Sequence, residues 1–157
     1  MRDEALVAAQ VGFGMFGSDV VAGTMWDLQR NGLSPYLDRI GLDDRAAEYI
    51  GHRVRLVAVG TRSEASAARA AEENERRTGE RPRTYHGDKP WERILDDHPD
   101  LDVLVIATPD HLHAEPALAA LERGVHVVVE KPLCMRSAEA SQILDLSRER
   151  GLIVGVD

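Results

Sequence analysis

Three glycines, Gly12, Gly14 and Gly17, follow an apolar run at residues 6–11 and precede a segment in which Val20, Val21, Met25 and Leu28 recur at helical spacing. No other stretch constrains the fold of this chain as strongly. A short apolar run bounded by turn residues has the length of a buried strand, and the periodicity after it is that of a helix packed along one face. Gly32 is placed to stop that helix. In a G-x-G-x-x-G turn the first glycine permits the tight reversal, the second lets a ligand approach the backbone, and the third lets helix and strand pack closely. The helix start adds unpaired N–H groups and a partial positive charge that favour an anion. The pattern therefore predicts a turn, Gly12-Phe13-Gly14-Met15-Phe16-Gly17, that cradles the pyrophosphate of a dinucleotide.

The rest of the chain repeats the alternation. Residues 54–59, 83–85, 102–107, 125–129 and 152–156 read as strands. Between them lie helices starting after Ser63 and ending at Gly79, and at residues 90–97, 115–123 and 137–150, with Pro90 suited to a first helical position. Strands alternating with amphipathic helices imply βαβ units, hence a parallel sheet covered on both faces. Right-handed crossovers then favour a doubly wound α/β fold, here one domain over residues 1–157. Residues 31–53 exceed what one helix and a turn require. Ser34-Pro35 is a helix start, and Asp43-Asp44 precede Ala46, Ala47, Tyr49 and Ile50, so one or two extra short helices are expected. Surface decoration, a cover for the ligand and a subunit contact all remain open as their role.

Charge and composition exclude several classes. The chain carries a formal charge of −8 and no long Lys/Arg run, which argues against nucleic acid and anionic membranes. No apolar run approaches the roughly 20 residues that span a bilayer. Met1-Arg2-Asp3-Glu4 lacks a signal-peptide pattern, and the single Cys134 permits no intrachain disulfide, which fits a cytoplasmic protein. His111 and His113 lack a third ligand nearby, so no metal is expected. Cys134 reads as a small packed residue and Trp91 as a core anchor.

The second strand ends Val57-Ala58-Val59-Gly60-Thr61-Arg62-Ser63, without the carboxylate that binds the ribose 2′-hydroxyl in NAD-preferring domains. Arg62 would attract a 2′-phosphate, and Thr61 and Ser63 can donate hydrogen bonds, so NADP is expected over NAD. The alternative is that Arg62 is an exposed helix-start residue and Ser63 merely a cap.

Two further segments follow apolar strands: Asp102-Val103-Leu104-Val105-Ile106-Ala107-Thr108-Pro109-Asp110-x-x-His113, and Gly124-Val125-His126-Val127-Val128-Val129-Glu130-Lys131-Pro132-Leu133. With the glycine turn, they resemble the N-terminal half of the glucose–fructose oxidoreductase / inositol dehydrogenase / MocA superfamily, along nearly the whole chain. The departure is the surplus at residues 31–53. The resemblance implies an NAD(P)-dependent oxidoreductase of a sugar, polyol or related hydroxy or keto compound. It places Thr108, Pro109 and Asp110 along the cofactor and Glu130, Lys131 and Pro132 beside the nicotinamide, with Lys131-Pro132 often cis. It also makes Lys131 the group that contacts the reacting oxygen, and His113 a catalytic or helix-capping residue. A buried ammonium can polarise a carbonyl or share the proton of an alkoxide.

The resemblance implies a second α/β domain that shapes the substrate pocket, and the expectation is that residues 1–157 do not include it. The expectation is cofactor binding with negligible turnover by the 157 residues alone. A split enzyme completed by another chain and a non-catalytic NAD(P)-binding module are the alternatives, and a homo-oligomer is left open as a partner.

Overall fold

A computed structural model describes residues 5–14, 17–42 and 53–157. Six strands, β1 (Ala5–Val11), β2 (Arg53–Thr61), β3 (Arg83–His86), β4 (Val103–Ile106), β5 (His126–Val129) and β6 (Val154–Val156), form one sheet in the order β3-β2-β1-β4-β5-β6. Every pairing is parallel. Successive side chains of a strand point to opposite faces, and a parallel sheet is covered on both, so its strands read as continuous apolar runs. In β4, Leu104 and Ile106 pack with Trp91, Ile94, Leu121 and Ile143 on one face. Val103 and Val105 pack with Val21, Met25, Ala70 and Ala71 on the other.

The helices are α1 (Ala22–Asn31), α2 (Ser34–Arg39), α3 (Glu64–Thr78), α4 (Pro90–Asp97), α5 (Ala114–Glu122) and α6 (Ser137–Arg150). Their ends follow local chemistry. The Ser63 hydroxyl accepts the Ser66 N–H at 3.3 Å to cap α3, and Gly79 ends it at φ +83. Gly32, at φ +73, closes α1. None of the described helices is long and apolar enough to cross a membrane.

The first helix departs from the simple reading. The chain leaves the glycine turn through a wide π-type turn, Gly17–Val21, before α1 begins. The extra residue rotates the helical face, so Val21 and Met25 are buried while Val20 is 47% exposed. The surplus after α1 starts a helix at Ser34-Pro35 as expected, and the Tyr36 hydroxyl fastens it by donating to the Asp27 carboxylate of α1. The second expected helix, at Asp43 to Ile50, lies outside the described residues.

The strand order fixes where chemistry can sit. The chain builds outward from β1 through β2 to β3, then returns to lay β4 on the other side of β1. At such a reversal the connections leave toward opposite faces, and a crevice opens beyond the carboxyl ends of the strands.

Candidate functional site

The glycine turn occupies that reversal. Gly12 has φ +90, and a Cβ there would stand 2.2 Å from the Ala107 carbonyl oxygen of the neighbouring β4 segment. At Gly17 a Cβ would stand 2.7 Å from the carbonyl oxygen of Gly12. Gly14 differs: among the described residues, nothing beyond its chain neighbours lies within 4 Å of its Cβ position. The fold itself thus requires the first and third glycines, while the second leaves a bare backbone face for a ligand. That division of labour fits a pyrophosphate cradle.

Gln10 holds the turn from below, a role the sequence pattern did not reveal. Its side chain is 1% exposed. Its Nε2 donates to the carbonyls of Gly12 at 2.9 Å and Gly17 at 2.8 Å, tying the two ends of the turn together. The Gly12 N–H adds a bond to the Gly60 carbonyl of β2 at 2.9 Å. Gln10→Leu keeps the volume but strands both carbonyls, so it should cost ~1–3 kcal/mol of stability and about tenfold in dinucleotide affinity. Thermal melts and a fluorescence titration check this; unchanged affinity would remove Gln10 from the binding machinery.

Around the turn lies a crevice of about 970 Å³. It gathers Gly12, Phe13, Gly14 and Gly17 from the turn, Thr61, Arg62 and Ser63 from the end of β2, Thr108, Pro109, Asp110 and His113 from the end of β4, and Glu130 and Lys131 from the end of β5. Met15 and Phe16 lie outside the described residues. Pro132 does not line the crevice; it follows Lys131 through a cis peptide bond and turns its carbonyl toward His113. Sequence reasoning missed the wall formed by Ser66 and Arg69 of α3 and by residues 87–91. Within that wall Trp91 is 2% exposed, and its indole N–H has no hydrogen-bond acceptor among the described residues.

Although the chain is acidic overall, the crevice is balanced. Arg62, Arg69, Lys89 and Lys131 face Asp88, Asp110, Glu115 and Glu130. Lys89 donates to the Glu115 carboxylate across the rim, and that hydrogen bond raises the lysine above its ordinary value. At the end of β2, Thr61 spends its hydroxyl proton on the Ser63 carbonyl at 2.7 Å. Ser63 accepts from Ser66 and keeps its own proton to donate. The Arg62 side chain is 92% exposed, with the Asp88 carboxylate 4.0 Å away. Of the three, Arg62 is the group best able to reach a phosphate.

At the other end, the Glu130 N–H bonds the Ile106 carbonyl at 2.9 Å and the Lys131 N–H bonds the Asp157 carbonyl at 3.0 Å, which fixes the backbone beside the crevice. Lys131 is exposed, not buried as expected; it follows β5, which is next to the edge strand β6. His113 shows the reverse. It is fully buried, with Nδ1 2.7 Å from the Pro132 carbonyl and Nε2 2.7 Å from the Thr108 carbonyl.

Residues 8–157 match the model of an oxidoreductase family described by its NAD-binding Rossmann fold, that of the glucose–fructose oxidoreductase / inositol dehydrogenase / MocA proteins. Levoglucosan dehydrogenase of Pseudarthrobacter phenanthrenivorans is 44% identical over 63 residues, 40% of this chain and 16% of that protein. A dTDP-3,4-didehydro-2,6-dideoxy-alpha-D-glucose 3-reductase of Streptomyces violaceoruber is 47% identical over 55 residues, 35% of this chain and 16% of that protein. Among solved structures, biliverdin reductase from Synechocystis sp. PCC 6803, in complex with biliverdin and NADP+, superposes with a TM-score of 0.66 at 28% identity. That match covers 97% of this chain and 37% of the reductase. The chain therefore spans well under half the length of the relatives it matches.

Proposed function

Because the chain belongs to the glucose–fructose oxidoreductase / inositol dehydrogenase / MocA oxidoreductase family, through its NAD-binding Rossmann domain, we propose that it is the cofactor domain of an NADP-dependent oxidoreductase. Its substrate is a sugar, polyol or related hydroxy or keto compound, and a substrate-binding portion outside residues 1–157 completes the pocket. The observation that carries this reading is the single crevice joining the glycine turn, Arg62 and Lys131. Gly12, Gly14 and Gly17 take the pyrophosphate, Arg62 and Ser63 the 2′-phosphate, and Thr108, Pro109, Asp110 and Glu130 flank the nicotinamide end. When bound, the nicotinamide supplies or accepts the hydride. Lys131 holds the substrate oxygen, polarising a carbonyl or sharing the proton of an alkoxide.

Titrating the chain with NADPH and NADH tests the cofactor half of the reading. Arg62 is exposed, so a contact to a doubly charged phosphate is screened yet still worth about tenfold in favour of NADPH at low salt. Arg62→Ala should erase that preference, leaving NADH within a factor of about two, since NADH offers the guanidinium no phosphate there. Tighter binding of NADH to the unaltered chain overturns the assignment of NADP.

One observation favours a second reading. Lys131 stands on an exposed rim in this chain, as it would in a module that binds cofactor without catalysing. Turnover with NADPH and a panel of sugars and ketoses separates the two. Activity that appears only when a substrate-binding partner is supplied selects the oxidoreductase; a stable cofactor complex with no activity in any assembly selects the module.

A further inference from the structure

We propose that His113 is a positioning residue: its imidazole bridges the loop after β4 to the loop after β5 through its two ring nitrogens, and so sets the width of the crevice at its nicotinamide end. The bridge rests on two 2.7 Å contacts, Nε2 to the Thr108 carbonyl and Nδ1 to the Pro132 carbonyl, around a ring with no solvent exposure. A carbonyl oxygen only accepts hydrogen bonds. A ring N–H can therefore donate to either oxygen, and which nitrogen carries it depends on the tautomer. With no solvent at the ring, these two carbonyls are the partners the structure gives it, so the imidazole ties the two loops together. The other ionisable groups lining this end of the crevice are Asp110 and His111 from the turn after β4, Glu115 of α5 with its partner Lys89, and Glu130 and Lys131 from the end of β5.

What the bridge joins gives it a function. Thr108 begins the loop expected along the cofactor, and Pro132 follows Lys131 directly. The two strands are already neighbours in the sheet, paired from Val103 to Ile106 against His126 to Val129. Beyond those last paired residues the loops are held together by the Glu130 N–H to Ile106 bond and by the His113 ring. Removing the ring frees the carbonyl that follows Lys131 and the carbonyl of Thr108, while the glycine turn and the end of β2 keep their own bonds. His113 thus acts on the reaction centre through the two loops and not by exchanging a proton with substrate.

The inference rests on the crevice holding a dinucleotide, so its test separates the two ends of that ligand. Wild type and His113→Leu are titrated with the tighter-binding of NADPH and NADH, and with the matching adenine half, 2′,5′-ADP or ADP. The half-ligand reaches only the glycine turn and the end of β2, and its affinity also reports whether the variant is folded. The expected result is a loss of about tenfold or more for the dinucleotide with the half-ligand unchanged within about twofold. Equal losses for both ligands, or no loss for either, overturn the proposal; failure of the wild type to bind either ligand overturns the dinucleotide reading instead. Nitrogen-15 correlation spectra of the wild-type ring need neither ligand nor variant. They should show a ring N–H of His113 protected from exchange with water, and a ring with no protected proton overturns the bridge even if the variant fails to fold.

Discussion

Gly12→Ala should destabilise the domain by ~3–5 kcal/mol, whereas Gly14→Ala, two residues on in the same turn, should leave stability nearly unchanged and weaken dinucleotide binding. The difference lies in what each methyl meets. At Gly12 the new Cβ would stand 2.2 Å from the Ala107 carbonyl oxygen, 2.4 Å from its carbon and 2.7 Å from the Thr108 nitrogen, all backbone at the end of β4. None can swing aside as a side chain could, and the φ of +90 adds strain for any residue with a Cβ. A loss of that size is a large part of the roughly 5–15 kcal/mol that stabilises a typical domain, and lowers Tm by about 10 °C. At Gly14 the methyl meets no atom within 4 Å among the described residues beyond its chain neighbours. It occupies the face proposed for the pyrophosphate, so affinity should fall about tenfold or more while Tm stays within about 2 °C. Circular-dichroism melts and a cofactor titration on both variants check the pair. If Gly14→Ala binds as tightly as wild type, the ligand does not lie on this turn.

Much of this architecture is readable in the sequence because its signals are local. Val103 to Ile106 reads as a strand because four consecutive apolar residues are needed where both faces of a sheet are covered. Pro90 and Ser63 announce α4 and α3 through the chemistry of helix starts, which involves residues within one turn of each other. The apolar stripe after the glycines was readable only in outline. The single added residue of the π-type turn moves Val20 to the surface, and periodicity carries no sign of it. The candidate site divides the same way. Motif spacing marked the ends of β1, β2, β4 and β5. The pieces that brace them depend on contacts distant in sequence: Gln10 to Gly17, Lys89 to Glu115, and His113 to Pro132. A glutamine near the end of a buried strand was the one available hint, since a buried amide needs partners and the nearest carbonyls are those of the turn.

Lys131→Met should lower turnover by about 10²–10⁴-fold with dinucleotide affinity held within a factor of about three, measured on whichever assembly turns over. The asymmetry follows from where the side chain sits. The backbone of Lys131 is fixed by its N–H bond to the Asp157 carbonyl, so a change beyond Cβ leaves the crevice wall in place. The ammonium is what a substrate oxygen would feel, and methionine keeps the unbranched stem, one atom shorter, without the charge or the protons. Lys131→Arg refines the result: it keeps the charge but replaces a compact, titratable donor with a planar one that stays protonated. If the lysine only attracts an anion, arginine restores turnover; if it also shares a proton with the alkoxide, arginine remains impaired. The exposure of Lys131 as a residue supports one further expectation. In water its interaction with a carbonyl oxygen is weak, and it strengthens only when the site is closed over and dried. The 157-residue chain should therefore bind NADPH yet reduce sugars and ketoses at a negligible rate until another protein surface covers Lys131. Rapid turnover by the chain alone would show that the exposed rim already is the complete site and would overturn the proposal that a substrate-binding portion is needed.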